Sequence, residues 1–342
     1  MVKDCNPCFS HVCSKLESYI MDTQSNKLLS IVIPAYNEEA MIENIFDTVK
    51  KIMEEASISF EIIFVDDGSR DATYHNIAML SEKHSEVKGL SFSRNFGKES
   101  AIFAGLEAAQ GACCVIIDCD LQHPPGTIVE MYRLWEKGFQ VVQGIKSTRG
   151  KENPFHTLCA GFFYKLLSRA IGLDMTNASD FRLLDRRAVE ALLLMPERTP
   201  FFRALSSWIG FSSTTVSFEV KERTAGTSKW SMWSLVMYAI QNITSFSGVP
   251  LQFVTFMGWI MLFFSFIFAI QSLYHYFTGT ALEGFTTVIL LLLIIGSVLM
   301  ISLGIIGHYI SKIYVEIKGR PRYIIHKRCG YYNYSNSEEN CL

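Results

Sequence analysis

From Leu28 onward, short apolar runs alternate with segments of helical period, the rhythm of strands and helices taken in turn. Residues 29–33, 60–65, 87–92, 113–117 and 139–144 predict strands, and residues 38–55, 71–83, 98–110 and 126–137 predict the helices between them. That alternation predicts an α/β domain with a parallel sheet covered on both faces. Beyond residue 142 the pattern changes. Residues 155–171 and 230–246 are amphipathic and rich in Phe, Trp, Tyr and Leu, which suits helices lying in a headgroup layer or, more plainly, two core-facing helices. Two long apolar runs follow, 251–277 and 285–310. Each exceeds the roughly 20 apolar residues needed to cross a hydrocarbon layer of about 30 Å. Between Lys229 and Lys312 the only Asp, Glu, Lys or Arg is Glu283, so the short 278–284 link predicts a hairpin of two spanning helices.

Charge sets the expected orientation. The link carries no Lys or Arg, whereas Lys312, Lys318, Arg320, Arg322, Lys327 and Arg328 follow the second run, so positive-inside bias predicts both ends in the cytoplasm. Residues 1–30 include Asp4, Lys15 and Glu17 and no continuous apolar stretch, so no signal peptide is expected. The expected organisation is a tail (1–27), a cytosolic domain (28–229), an interfacial helix (230–250), a transmembrane hairpin (251–311) and a basic cytosolic tail (312–342). With 342 residues and 49% hydrophobic content, the part ahead of the hairpin is long enough for a substantial core. A net charge of −2 argues against nucleic acid as a partner. The nine cysteines are odd in number and scattered, as reduced thiols would be. Cys5, Cys8 and Cys13, with His11 nearby, offer an incomplete metal set within what reads as a tail.

Polar residues collect where apolar strands end. The run 113–117 leads into Asp118-Cys119-Asp120, two carboxylates one residue apart and therefore on one side of an extended chain. Hard oxygens so placed suit Mg²⁺ or Mn²⁺ bridging a diphosphate, and they also suit a turn or a helix cap. Asp66-Asp67-Gly68-Ser69 follows a second apolar run, where a carboxylate can accept hydrogen bonds from a nucleobase or ribose, or can shape a turn. The first predicted strand ends likewise, in Pro34-Ala35-Tyr36-Asn37-Glu38-Glu39. In open α/β sheets, ligands settle at such strand ends near a switch in strand order.

The runs IVIPAYNEE, FVDDGSRDAT, SRNFGKESAIFAGLEAAQG and DCDLQHPP resemble family 2 glycosyltransferases of the GT-A fold, and more closely their polyprenyl-phosphate branch. The segments 180–187, 221–230 and 314–325 are similar to that branch's downstream signatures, so the resemblance covers roughly residues 28–326. Bacterial bactoprenol-phosphate glucosyltransferases are nearest, with dolichol-phosphate mannose synthase a more distant relative.

The resemblance implies a GT-A fold, Rossmann-like, with a mostly parallel sheet and flanking helices, followed by interfacial helices and two transmembrane helices. It implies that Asp66 or Asp67 contacts the uracil or ribose of a UDP-sugar, with Pro34, Tyr36 and Glu38 lining the pocket. Asp120 becomes the principal ligand of Mg²⁺ or Mn²⁺, joined by Asp118, with Gln122 in the same shell. Asp180 falls near the reacting sugar, as a base or as a group orienting Arg182, and Arg223 and Lys229 face phosphates. The implied partners are a UDP-sugar, a polyprenyl phosphate, the lipid bilayer and further copies of the chain in a homo-oligomer such as a tetramer. The implied location is the inner membrane.

Two departures stand out, His123 where relatives carry Asp or Glu and Cys119 where Ala is common. No Gln-x-x-Arg-Trp run of a processive polymer synthase occurs, and no Gly-x-Gly-x-x-Gly follows the first strand as a nicotinamide enzyme would need. The resemblance implies a single, inverting transfer, most simply of glucose, to polyprenyl phosphate. Transfer from GDP-mannose is the alternative, and a non-catalytic membrane scaffold would do without the carboxylates.

Overall fold

The structure, a computed structural model, describes residues 27–146, 179–195, 197–198, 200–218, 249–278 and 284–331. The described residues belong to two compact units, one holding those before residue 219 and after 320, the other holding 249–278 and 284–320.

The first unit is built on eight strands: β1 (Leu29–Ala35), β2 (Phe60–Asp66), β3 (Val87–Phe92), β4 (Cys113–Ile116), β5 (Val141–Lys146), β6 (Arg182–Asp185), β7 (Ser213–Phe218) and β8 (Ile325–Cys329). Around them lie α1 (Ile42–Glu55), α2 (Thr73–Lys83), α3 (Lys98–Ala108), α4 (Gly126–Glu136), α5 (Arg186–Leu193) and α6 (Phe202–Trp208). The strands form one sheet in the order β7, β5, β6, β4, β1, β2, β3, β8. Every residue of β1 is buried, as a central strand covered on both faces requires. The one polar residue within it, Ser30, donates to the buried Glu61 on β2 (2.5 Å), which also accepts from Lys88 (2.7 Å) and from the Gln110 N–H (2.7 Å). Those partners make the buried carboxylate tolerable. Helix α1 buries Ile42, Ile45, Phe46, Val49 and Met53, one stripe at helical spacing.

Strand order places the site. The chain runs outward through β1, β2 and β3, all parallel, then returns to lay β4 on the other flank of β1, also parallel. The carboxyl ends of β1 and β4 thus flank the reversal in strand order, where ligands of open sheets collect. Helix α3 makes the return crossing very close to β1, and a Cβ on Gly105 would fall 2.3 Å from Val32 Cγ1.

The sheet is mostly parallel, as expected, with two strands running the other way. Strand β6 runs antiparallel between β4 and β5, and β8 runs antiparallel on β3. With four residues, β6 is too short to show a period of two, and β8 reads His-Lys-Arg at its centre, which resembles a charged tail rather than a strand. The predicted first helix begins four residues later than its expected start, because residues 38–41 form a turn. The second unit contains α7 (Val249–Phe277) and α8 (Phe285–Ile317), packed on each other. Both are long and apolar enough to cross a membrane, over Leu251–Phe268 and Ile294–Ile317. Phe256, Trp259, Phe266 and Met300 are among the apolar side chains exposed along them, surface that calls for apolar surroundings. The expected amphipathic helices at 155–171 and 230–246, and the Cys5, Cys8, Cys13 tail, lie outside the described residues.

Candidate functional site

A cleft of about 390 Å³ opens at the carboxyl ends of β1 and β4. Its walls include Pro34 near the end of β1, Tyr36 and Glu38 just after it, Asp67 after β2, Lys98 at the start of α3, and Asp118 and Asp120 after β4. Four segments far apart in sequence meet there because three strand ends and one helix start share an edge of the sheet.

The turns that carry them are cross-tied. The Asn37 N–H donates to Ser69 Oγ (2.9 Å), the Arg70 N–H to Asn37 Oδ1 (3.0 Å), and the Glu38 N–H to Thr73 Oγ1 (2.9 Å). Glu39 turns away from the cleft and accepts the Ala72 N–H (2.8 Å). Gly68 has φ +69°, and a Cβ there would lie 2.4 Å from the Arg94 carbonyl carbon, so this crossing of two loops admits only glycine. Asp66 is buried and accepts from the Ser69 N–H (2.9 Å) and Ser91 Oγ (2.7 Å), which makes it a brace for the turn. Asp67 reaches the cleft wall, yet its two oxygens also accept the N–H groups of Phe96 (2.7 Å) and Gly97 (2.9 Å). Burial raises its pKa and those two hydrogen bonds oppose the rise.

That clamp fixes the loop delivering Lys98. Its ammonium lies 2.6 Å from Asp118 Oδ1 and 2.8 Å from Asp180 Oδ2. Asp180 is only 6% exposed, and Arg203 grips it through Nε (2.6 Å to Oδ1) and Nη2 (2.9 Å to Oδ2). Burial alone would raise the Asp180 pKa, but the Arg203 hydrogen bonds and the charges of Lys98 and Arg203 outweigh it and hold the carboxyl far below its ordinary range. Next door, burial and the Asp180 charge push Glu99 up to about 7, against the Phe202 N–H (2.9 Å) that its Oε2 accepts.

Arg182 does not line this cleft. It is 1% exposed, and its guanidinium donates to Ser179 O (3.1 Å), Arg203 O (3.1 Å), Ser206 Oγ (2.5 Å) and Ser207 Oγ (3.0 Å). Its work is to hold α6, which presents Arg203 to Asp180. Further along the same signature, Asp185 caps α5 by accepting the Arg187 N–H (3.0 Å). The departures from the family pattern also find places: Cys119 is buried, and His123 stacks on Phe181 (5.0 Å between centroids) with Nδ1 4.0 Å from Asp118 Oδ2. Arg223 and Lys229 lie outside the described residues.

Lys98, Arg203 and Glu99 are absent from the sequence-level site. Lys98 stood inside the recognised run SRNFGKES without a role, whereas Arg203 is a single cation in an apolar stretch with no local signal.

Among the described residues no group of three or more His, Cys, Asp and Glu side chains forms a cage for a metal ion. The donor set nevertheless fits Mg²⁺ or Mn²⁺, which are held by one or two carboxylates together with substrate phosphates. Asp120 is the freer of the pair: Oδ1 accepts the Gln122 N–H (3.1 Å), and Oδ2 accepts no hydrogen bond among the described residues. Leu121, at φ +54°, bends the chain just after it and packs against the core.

A mixed α/β sheet with paired carboxylates at its switch point is laid out to hold a ligand at that edge. Residues 30–193 match the model of glycosyl transferase family 2, and the chain belongs to that family. It is 37% identical over 306 residues, 89% of this chain and 95% of the other, to the uncharacterized glycosyltransferase YkcC of Bacillus subtilis (strain 168). The SfII prophage-derived bactoprenol glucosyl transferase of Shigella flexneri is 37% identical over 301 residues, covering 87% of this chain and 97% of its own. A prophage bactoprenol glucosyl transferase homolog of Escherichia coli (strain K12) is 38% identical over 299 residues, covering 87% and 98%.

Proposed function

We propose that the protein transfers a sugar, most simply glucose, from a UDP-sugar to a polyprenyl phosphate at the cytoplasmic face of a membrane. The observation that carries this reading is the switch-point cleft walled by Asp118 and Asp120, in a chain whose relatives include bactoprenol glucosyl transferases along nearly their whole length. Two helices of spanning length support a bilayer-borne acceptor, since an enzyme anchored in the acceptor's own layer meets it at high effective concentration.

In this reading Pro34, Tyr36, Glu38 and Asp67 receive the nucleoside, while Asp66 stays buried beneath them. Asp120, with Asp118, would hold Mg²⁺ or Mn²⁺, which when bound neutralises charge building on the departing diphosphate. Asp180 acts by position: it fixes Arg203 and Lys98 on one side of the cleft and stays ionised. No strong base is required, because an acceptor phosphate is already largely ionised at neutral pH and its oxygen can attack the anomeric carbon directly. Single displacement inverts that carbon, so an α-linked donor gives a β-linked product. Arg223 and Lys229 are assigned to the phosphates of donor or acceptor.

The test incubates detergent-purified protein with labelled UDP-glucose and undecaprenyl phosphate and extracts the product into organic solvent. Asp120→Ala and chelation should each abolish product, and unlabelled UDP-glucose should compete where GDP-mannose does not. Full-rate glycolipid synthesis by Asp120→Ala refutes the metal role, retained configuration refutes single displacement, and competition by GDP-mannose alone transfers the reading to a mannose donor.

A further inference from the structure

The most unusual charge arrangement in the cleft is a cation already seated on a carboxylate that the proposed function assigns to a metal. Lys98 Nζ bridges Asp118 and Asp180 at 2.6 and 2.8 Å. The two carboxylates are not equally dependent on it. Asp180 is gripped twice by Arg203 and keeps a cation without Lys98. Asp118 has Lys98 as its close ion pair, and His123 stands at 4.0 Å.

The root of Lys98 is fixed by the backbone, and its head is held by the two carboxylates alone among the described ion pairs. Gly97, at φ +99°, precedes it with its N–H clamped by Asp67, and Lys98 opens α3, which is pressed on β1 at Gly105. The side chain itself is 42% exposed and lies on the cleft wall, on a stem of four carbons that can swing. A compact ammonium on such a stem can exchange one anion for another without moving the backbone.

We propose, building on the reading above, that Lys98 is a resident counter-ion of the donor cleft: its ammonium occupies Asp118 until a divalent cation and donor arrive, then passes to the donor's diphosphate. The physical reason is competition. A divalent ion and an ammonium cannot both sit against one carboxylate oxygen without strong repulsion, and the donor brings two phosphates that need a cation. The device has two consequences. It keeps the empty site from holding a metal tightly without substrate, and it makes metal and nucleotide bind as a cooperative pair.

The test uses full-length protein in detergent and measures Mn²⁺ binding directly, by the electron paramagnetic resonance signal of free Mn²⁺, with no turnover involved. Lys98→Met should bind Mn²⁺ alone roughly tenfold or more tightly than wild type, and should bind UDP in the presence of Mn²⁺ roughly tenfold more weakly. Lys98→Arg, which keeps the charge, should leave Mn²⁺ affinity near wild type. Unchanged or weaker Mn²⁺ binding by Lys98→Met overturns the proposal, as does equal tightening in Lys98→Arg. Asp120→Ala separates the two readings. If it abolishes Mn²⁺ binding while Lys98→Met changes nothing, only the role of Lys98 falls; if it binds Mn²⁺ like wild type, the metal reading falls first.

Discussion

Replacing Asp180 with Asn tests whether this carboxylate moves a proton or holds a geometry. The side chains are nearly isosteric, so the perturbation is the loss of one buried charge. Three charge-assisted contacts, at 2.6, 2.8 and 2.9 Å, converge on Asp180. An amide offers one oxygen to two cations and turns its NH₂ toward the other, so at least one contact is lost and the rest weaken. Hydrogen bonds to charged groups contribute about 1.5–3 kcal/mol each, and Arg203 and Lys98 are partly exposed, which screens the loss. A net loss of about 2–3 kcal/mol in transition-state stabilisation follows, roughly a 30- to 160-fold fall in kcat/KM. The sign of the pH effect follows from the depressed folded-state pKa. Stability from the ionised form is present above the unfolded value of about 4 and is lost only as pH falls through the lower folded value. Across pH 5.5 to 8.5 Asp180 therefore stays charged, and Asp180→Asn should lower the glycolipid-forming rate by a uniform factor. An acidic limb present in wild type and missing in the variant would show that Asp180 takes a proton, and the positional account would be wrong.

Two further outcomes follow from the same region. Glu99, raised to about 7, favours its protonated form in the folded state; its contribution is complete below about pH 4 and is lost as pH rises through 7. Thermal unfolding midpoints of wild type should therefore fall relative to Glu99→Gln between pH 5 and 8, and parallel curves would discredit the raised value. Gly68→Ala places a methyl group against the Arg94 backbone at a left-handed φ, so it should destabilise the unit by about 2–4 kcal/mol and weaken nucleotide binding, read by calorimetry. Wild-type stability in that variant would mean the two loops are not in contact.

The central half of the sheet was legible because its strands are continuous apolar runs separated by helices with one buried stripe. The polar strand ends were legible for the same reason, as carboxylates interrupting such runs stand out: Asp66, Asp67, Asp118 and Asp120. What pattern could not convey was which of these face a ligand. Asp66 and Asp67 are adjacent and both buried, yet Asp66 braces the turn while Asp67 lies on the cleft wall. Arg182 stands two residues after Asp180, a spacing that on an extended chain would put both on one side, but Asp180 lies in a bend ahead of β6 and Arg182 ends on the serines of α6. Arg203 and Lys98 meet Asp180 only through tertiary contacts across 23 and 82 residues, and no local rule reports those.

Strand β8 bears on how the molecule is made. It pairs Cys329 with Gly89 and Lys327 with Ser91, so one margin of the catalytic sheet is supplied by a segment that leaves the ribosome after both apolar helices. Until then β3 offers unpaired backbone N–H and C=O groups to any passing strand. Synthesis therefore couples completion of the sheet to emergence of both apolar helices: a nascent chain halted before residue 325 carries every carboxylate of the cleft on a sheet still open along β3.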